Sequence, residues 1–308
     1  MSVALGFDTS NYTTSCACYD GREGENFSKL LEVRPGELGL RQSDALFQHV
    51  KRLPELSDRL FAHIGSASVL AVGVSSRPRA LEGSYMPCFL AGETAASVAA
   101  QALGVPLYRY SHQQGHIAAA LCSAKRLDLL DKPFLTWHLS GGTTELLLVQ
   151  PGQEILSCKI IGGTSDISAG QLIDRTGKLL GFDFPAGKAL DEAALLGDPG
   201  HVFPLRVQNC SFSFSGMQNQ AETFFRKSGN TADTAAFTLC TIAAGVRKAT
   251  EQARDVYGDL PVVFSGGVAS SLLLRSELKD LNPVFAHPRY STDNALGPAV
   301  LAYLQVML

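Results

Sequence analysis

Val3 to Phe7 reads as a short apolar strand that runs into Asp8-Thr9-Ser10-Asn11-Tyr12-Thr13-Thr14, a stretch dense in hydroxyl residues. Ser15 to Tyr19 returns as a second strand, and Asp20-Gly21 follows as a hairpin signal. The same design recurs at the head of the second half. Phe134 to Leu139 is a strand that meets Ser140-Gly141-Gly142-Thr143-Thr144, and Glu145 to Val149 is the return strand. A unit that heads each half points to duplication, with two similar lobes facing one another. A plain hairpin accounts for either copy alone, but backbone N–H groups and hydroxyls in such turns can also hold a phosphate. The two glycines of the second turn let a backbone approach a ligand closely.

Between the copies, apolar residues at Leu46, Val50, Leu53, Leu56, Leu60, Phe61 and Ile64 follow a helical rhythm over 42–64. Pro54 interrupts that rhythm, which predicts two short helices with the second opening at the proline. Val69 to Ser75 is a buried strand, Gly92 to Leu103 a packed helix, and Pro106 to Tyr110 another strand. This βαβ rhythm implies an α/β fold, a parallel or mixed sheet covered by helices. A composition break at Ala124-Lys125-Arg126-Leu127-Asp128 divides the chain into lobes 1–127 and 128–308. In the second lobe, Gly162-Gly163-Thr164-Ser165-Asp166 precedes a helix over 167–180 that carries Asp174 and Lys178. Ser211 to Gly216 alternates like an edge strand, 232–256 is a long helix, and Leu260 to Phe264 is a strand ending in Ser265-Gly266-Gly267-Val268. The helix behind it, 270–278, offers free N–H groups to a nucleotide, although a ligand-free strand-to-helix turn has the same pattern.

At 308 residues, 45% of them apolar and 29 of them glycine, the chain suits two compact α/β lobes. A net charge of −3 excludes an overall basic surface, so a nucleic-acid partner needs a local patch. The seven cysteines are scattered without a C-x-x-C pair, as reduced thiols are. No basic, apolar leader opens the sequence, and no apolar run reaches the roughly 18 residues of a membrane helix, so a cytoplasmic location without membrane contact is expected.

Tyr110-Ser111-His112-Gln113-Gln114-Gly115-His116 carries the most specific chemistry. On a helix, residues four apart share a face, so His112 and His116 can present two imidazoles to one ion. No Glu follows His112, which excludes the H-E-x-x-H metalloprotease helix and its general base. Tyr290-Ser291-Thr292-Asp293-Asn294 precedes a last helix; Asp293 reads as its N-cap and also as a third metal ligand.

Taken in order, Gly6-x-Asp8-Thr9-Ser10, the His112/His116 pair, Ser140-Gly141-Gly142, Ala169-Gly170 with Asp174, Pro185-x-Gly187, Phe212-Ser213-Phe214-Ser215-Gly216, Gly266-Gly267-Val268 with Arg275, and Thr292-Asp293-Asn294 span nearly the whole chain. Together they resemble the tRNA adenosine threonylcarbamoyltransferase family, the TsaD type once grouped with O-sialoglycoprotein endopeptidases. The resemblance implies the actin-like ATPase fold, two duplicated RNase-H-like lobes around a central cleft. It implies one divalent ion, iron or zinc, on His112, His116 and Asp293, and an adenine nucleotide, ATP or an acyl-AMP, on Ser140, Gly141, Gly142, Asp174, Gly187, Gly266 and Gly267, with Ser271 at a position where the family has Asn. Asp8 and Ser10 stand as catalytic candidates. The implied reaction passes a threonylcarbamoyl group from its AMP anhydride to a tRNA adenosine, with accessory subunits of a threonylcarbamoyl-transfer complex as partners; a homodimer is compatible with it.

The chain also departs from the family pattern. Where members continue E-T-S with C-D-E-T, it has Asn11-Tyr12-Thr13-Thr14, without the acids that orient the acceptor or activate water. Gln218 stands for a Lys, Ile167 for an Asp and Gln171 for a Glu. Metal and phosphate positions persist while acceptor-side acids do not, the pattern of a divergent paralogue. Two rival functions follow: carbamoyl transfer to another acceptor, and a catalytically weak nucleotide-binding regulator of an authentic transferase.

Overall fold

A computed structural model of the chain describes residues 2–10, 12–33 and 40–308. It divides into two compact units, each built on its own sheet. The first comprises 1–131, 150–158 and 292–308, the second 132–149 and 159–291. A single boundary at 127/128 assigns 150–158 and 292–308 to the second lobe; in the structure both pack with the first unit.

In the first unit, β1 (Ser2–Thr9), β2 (Thr13–Tyr19) and β3 (Gly24–Leu30) form an antiparallel meander. Helix α1 (Gln42–Ile64) leads to β4 (Ser68–Arg77), and α2 (Phe89–Leu103) to β5 (Leu107–Ser111). β4 and β5 lie parallel to β1 on its other side, giving the order β3-β2-β1-β4-β5. β1 and β2 are buried almost throughout, which their near-continuous apolar and small residues allow. Helix α3 (His112–Ser123) follows β5 directly.

The second unit repeats the plan. β6 (Phe134–Leu139) pairs antiparallel with β7 (Thr144–Gly152), and β8 (Ile155–Thr164) lies beside β7. Helices α4 (Ala169–Leu179) and α5 (Gly187–Ala194), the two-residue β9 (Ser211–Phe212), and α6 (Ser215–Ser228) and α7 (Thr231–Tyr257) lead to β10 (Val262–Ser265). α8 (Leu272–Glu277) precedes β11 (Pro283–Phe285). β10 and β11 run parallel to β6, giving β11-β10-β6-β7-β8, with β9 added at the β8 edge. With β6 matched to β1, the strand order of the first unit reappears. The register agrees: Thr9 pairs with Thr14, and Leu139 with Thr144, so each hairpin turn spans four residues. The core of this unit collects Trp137, Leu146, Phe212, Phe264 and the buried face of α7, where Trp137 Nε1 donates to Thr250 Oγ1 over 2.9 Å.

Three local expectations are corrected. α1 is one helix through Pro54, because buried anchors lie on both sides of it: His49 and Arg52 before, Leu56 and Leu60 after. Ser211 to Gly216 is strand for only two residues, since the buried Phe214 immediately precedes α6. The last helix, α9 (Leu296–Met307), opens after Ala295, so Asp293 is not its N-cap; Asn294 Oδ1 instead accepts from Leu296 N over 3.1 Å.

Candidate functional site

The first unit gathers the three proposed metal ligands. Ser111 starts α3 with a capping box: its hydroxyl accepts from Gln114 N, and the Gln114 side chain accepts from Ser111 N. That start projects His112 and His116 from one face, their Nε2 atoms 2.9 Å apart. Asp293 Oδ1 lies 3.3 Å from each of these nitrogens.

Glycines bring Asp293 there. A Cβ at Gly297 would stand 1.9 Å from Gly115 O, one at Gly6 would stand 2.2 Å from Ala295 O, and one at Gly73 would stand 2.1 Å from Pro298 O. Only hydrogen side chains on β1, β4, α3 and α9 let the start of α9 settle this deeply.

The spacing of the donor set suits a divalent ion. Bonds of about 2.1 Å put neighbouring ligand atoms roughly 3.0 Å apart in an octahedron and roughly 3.4 Å apart in a tetrahedron. The observed 2.9 to 3.3 Å lies within about 0.1 Å of that range. The second imidazole nitrogen is also provided for: His112 Nδ1 lies 2.7 Å from Oδ2 of the buried Asp8. A carboxylate there favours a proton on Nδ1, which would leave Nε2 to face an ion. Burial opposes charge on His112, but Asp8 and Asp293 outweigh it and raise its pKa to about 10. Burial likewise works against the Asp293 carboxylate, and the two imidazoles hold its pKa well below the ordinary value. Two carboxylates and two imidazoles are thus arranged to keep a positive charge at their centre.

Asp8, a catalytic candidate from sequence, is the hydrogen-bond partner of His112. Its Oδ1 accepts from Ser10 N over 3.0 Å. Ser10 Oγ, also buried, has no hydrogen-bond partner among the described residues. Asn11 lies outside the described residues; Tyr12 is exposed, and Thr13 and Thr14 are buried. Thr14 Oγ1 lies 2.8 Å from Nδ1 of the fully buried His49.

In the second unit, the Ser140–Thr143 turn is held from inside and from α4. Thr143 N donates to Ser140 Oγ, Ser168 Oγ donates to Gly141 O over 2.6 Å, and Gly170 N donates to Ser140 O. A Cβ at Gly170 would stand 2.4 Å from Gly141 Cα. Gly266, at φ 91°, packs on Leu139 O, which sets the β10 turn beside the β6 turn. Gly141, Gly142, Gly187 and Gly267 have nothing within 4 Å of an added Cβ and so face open space. Asp174 Oδ1 accepts from Ala186 N over 2.9 Å, which fixes the loop before Gly187. Ser271 Oγ donates to Asp191 Oδ1 over 2.5 Å and caps α8 by accepting from Leu274 N. Hydrogen bonds thus join Asp174 to the loop opening α5, and α5 to Ser271. Sequence reasoning passed over Asp191, Ser168, Gln114 and the glycines around α9, because their roles depend on which elements meet.

Two sheets of the same order, each opening on a hairpin and covered by helices, define an actin-like ATPase fold. The fold is shared with full-length HypF in its phosphate- and nucleotide-bound form (TM-score 0.62, 14% identity, 97% of this chain and 46% of that chain). It is also shared with a ROK family glucokinase from Streptomyces griseus (TM-score 0.55, 11% identity, 98% and 99%). Within that class the chain belongs to the tRNA N6-adenosine threonylcarbamoyltransferase (TsaD) family, whose sequence model matches residues 37–300. A relative of that name from Ralstonia pickettii is 30% identical over 99% of this chain and 91% of its own length. One from Kosmotoga olearia is 32% identical over 82% and 76%. The chain is accordingly a transferase.

Proposed function

We propose that the protein is a metal-dependent, adenylate-binding transferase that moves a threonylcarbamoyl group from threonylcarbamoyl-AMP to a tRNA adenosine. The observation that carries this reading is the convergence of His112, His116 and Asp293, with Asp8 behind His112. In the transfer, the adenosine amine forms a bond to the carbamoyl carbon, the bond from that carbon to the phosphate oxygen breaks, and AMP leaves as the amine loses a proton. A divalent ion on the triad would supply a Lewis acid for the acyl carbonyl and for phosphate oxygens. The chain's own groups bind and orient. Gly141 and Gly142 offer backbone N–H groups to the leaving adenylate, Ser140 holds their turn by donating its N–H to Thr143 O, and the open faces of Gly187 and Gly267 admit the nucleotide. Asp174 and Ser271 hold the flanking loops, while Asp8 fixes the His112 tautomer. The unpartnered Ser10 hydroxyl is available to the acyl group or the acceptor. We assign the protein to the cytoplasm, with accessory transfer subunits or a second copy of the chain as partners.

Tyr12, Thr13 and Thr14, standing where the family has acceptor-side acids, favour a second reading: carbamoyl transfer to another acceptor. Incubation of the metal-loaded protein with threonylcarbamoyl-AMP or carbamoyl-AMP, with and without tRNA, separates the two. The first reading expects modified adenosine only with threonylcarbamoyl-AMP and tRNA. AMP release without tRNA modification would favour the second, and no consumption of either donor would favour a regulatory paralogue.

A further inference from the structure

The α3 capping box has a second attachment that a cap does not need. Gln114 is buried, and Oε1 of its side chain accepts from Ser111 N at 2.7 Å and from Ser111 Oγ at 2.9 Å. Its Nε2 donates to Leu156 O at 2.9 Å and to Glu154 Oε2 at 3.3 Å. Glu154 in turn pairs with Arg77, the last residue of β4, at 3.3 Å. Both Glu154 and Leu156 belong to the segment 150–158, which packs with the first unit although most of β7 and β8 belongs to the second.

We propose that Gln114 and Glu154 are positioning residues for the metal centre: the 150–158 hairpin tip grips the Gln114 amide, and that grip sets the pitch of α3 and the aim of His112 and His116. The proposal rests on the metal-site reading. The arrangement satisfies four hydrogen bonds with one buried amide, so its orientation is fixed on both sides. His112 lies one residue beyond Ser111, so a slackened cap moves the first ligand directly. Misplacing a ligand shell through its outer partners weakens metal by about 10 to 100-fold.

The test uses Co2+, whose visible absorption reports ligand geometry, on the full chain. Gln114→Ala is expected to weaken Co2+ binding by about tenfold or more and to shift the absorption bands. Glu154→Ala is the safer variant because it leaves the capping box intact; it is expected to weaken binding by less than Gln114→Ala does and to shift the bands in the same direction. Gln114→Glu sets two carboxylates against each other and is expected to weaken binding at least as much as the alanine. Adding Glu154→Gln restores a donor opposite an acceptor and is expected to recover part of the loss. Wild-type affinity and spectrum in both alanine variants would overturn the proposal, as would a double variant no better than Gln114→Glu. Absence of Co2+ binding by the unaltered protein would remove the metal-site reading and the proposal with it. Failure to transfer threonylcarbamoyl, with these Co2+ differences intact, leaves the proposal standing.

Discussion

The two hairpin turns occupy the same place in the repeat and are held in opposite ways. In the first unit, Thr14 ends the turn with its hydroxyl against the buried His49, and the glycines around the nearby α9 start are filled by backbone. In the second, Thr144 at the matching position accepts from Ala169 N at the start of α4, and Gly141 and Gly142 face open space. One copy spends its small residues on closing a core around a charged cluster. The other leaves them bare, where a ligand can reach the main chain. The difference separates a site that assembles from one that admits.

Gly297→Ala is the harshest way to test that contrast. An added methyl 1.9 Å from Gly115 O should cost about 3 kcal/mol, at the upper end of overpacking, and lower metal content, read by urea unfolding and elemental analysis. A variant of normal stability would mean that the cradle around Asp293 is not closed. His49 gives a comparable effect that depends on pH. Burial pushes its pKa down to about 4 from 6.5, so the folded state keeps it neutral while the unfolded chain takes up a proton below 6.5. Its contribution is present above pH 6.5 and is lost as pH falls toward 4, by up to about 3 kcal/mol. His49→Asn should flatten that part of the stability profile; an unchanged slope would assign the acid sensitivity elsewhere. Ser168→Ala removes the α4 cap and the bond to Gly141 O, for about 1 kcal/mol in thermal unfolding. Gly142→Ala should change stability by less than about 0.5 kcal/mol. It should still weaken AMP binding about tenfold in calorimetry, which is about 1.4 kcal/mol. Equal AMP affinity would show that the open glycines do not serve the adenylate.

Much of the frame was legible along the chain. Both strand-turn-strand units announced themselves by short apolar runs around small polar residues, and the α/β plan followed from their recurrence. The histidine spacing was readable because α3 keeps a regular turn from a capped start. The rest depended on partners far away in sequence. Pro54 stays inside α1 because His49 and Arg52 on one side and Leu56 and Leu60 on the other are all buried, a tertiary effect that propensity does not contain. Asp293 read as a cap because it lies just ahead of a helix, yet its carboxylate is drawn to two imidazoles and Asn294 takes over at the helix start. Gly6 entered only as the first residue of a motif, and Gly73, Gly115 and Gly297 gave no signal of their packing role, since that role exists only where β1, β4, α3 and α9 converge.

That α9 packs with the first unit has a bearing on biosynthesis. His112, His116 and Asp8 precede the second unit along the chain, whereas Asp293 follows it. Only with residues 292–308 does the Asp293 carboxylate reach the two imidazoles, so the charged cluster is complete only after both sheets have been translated.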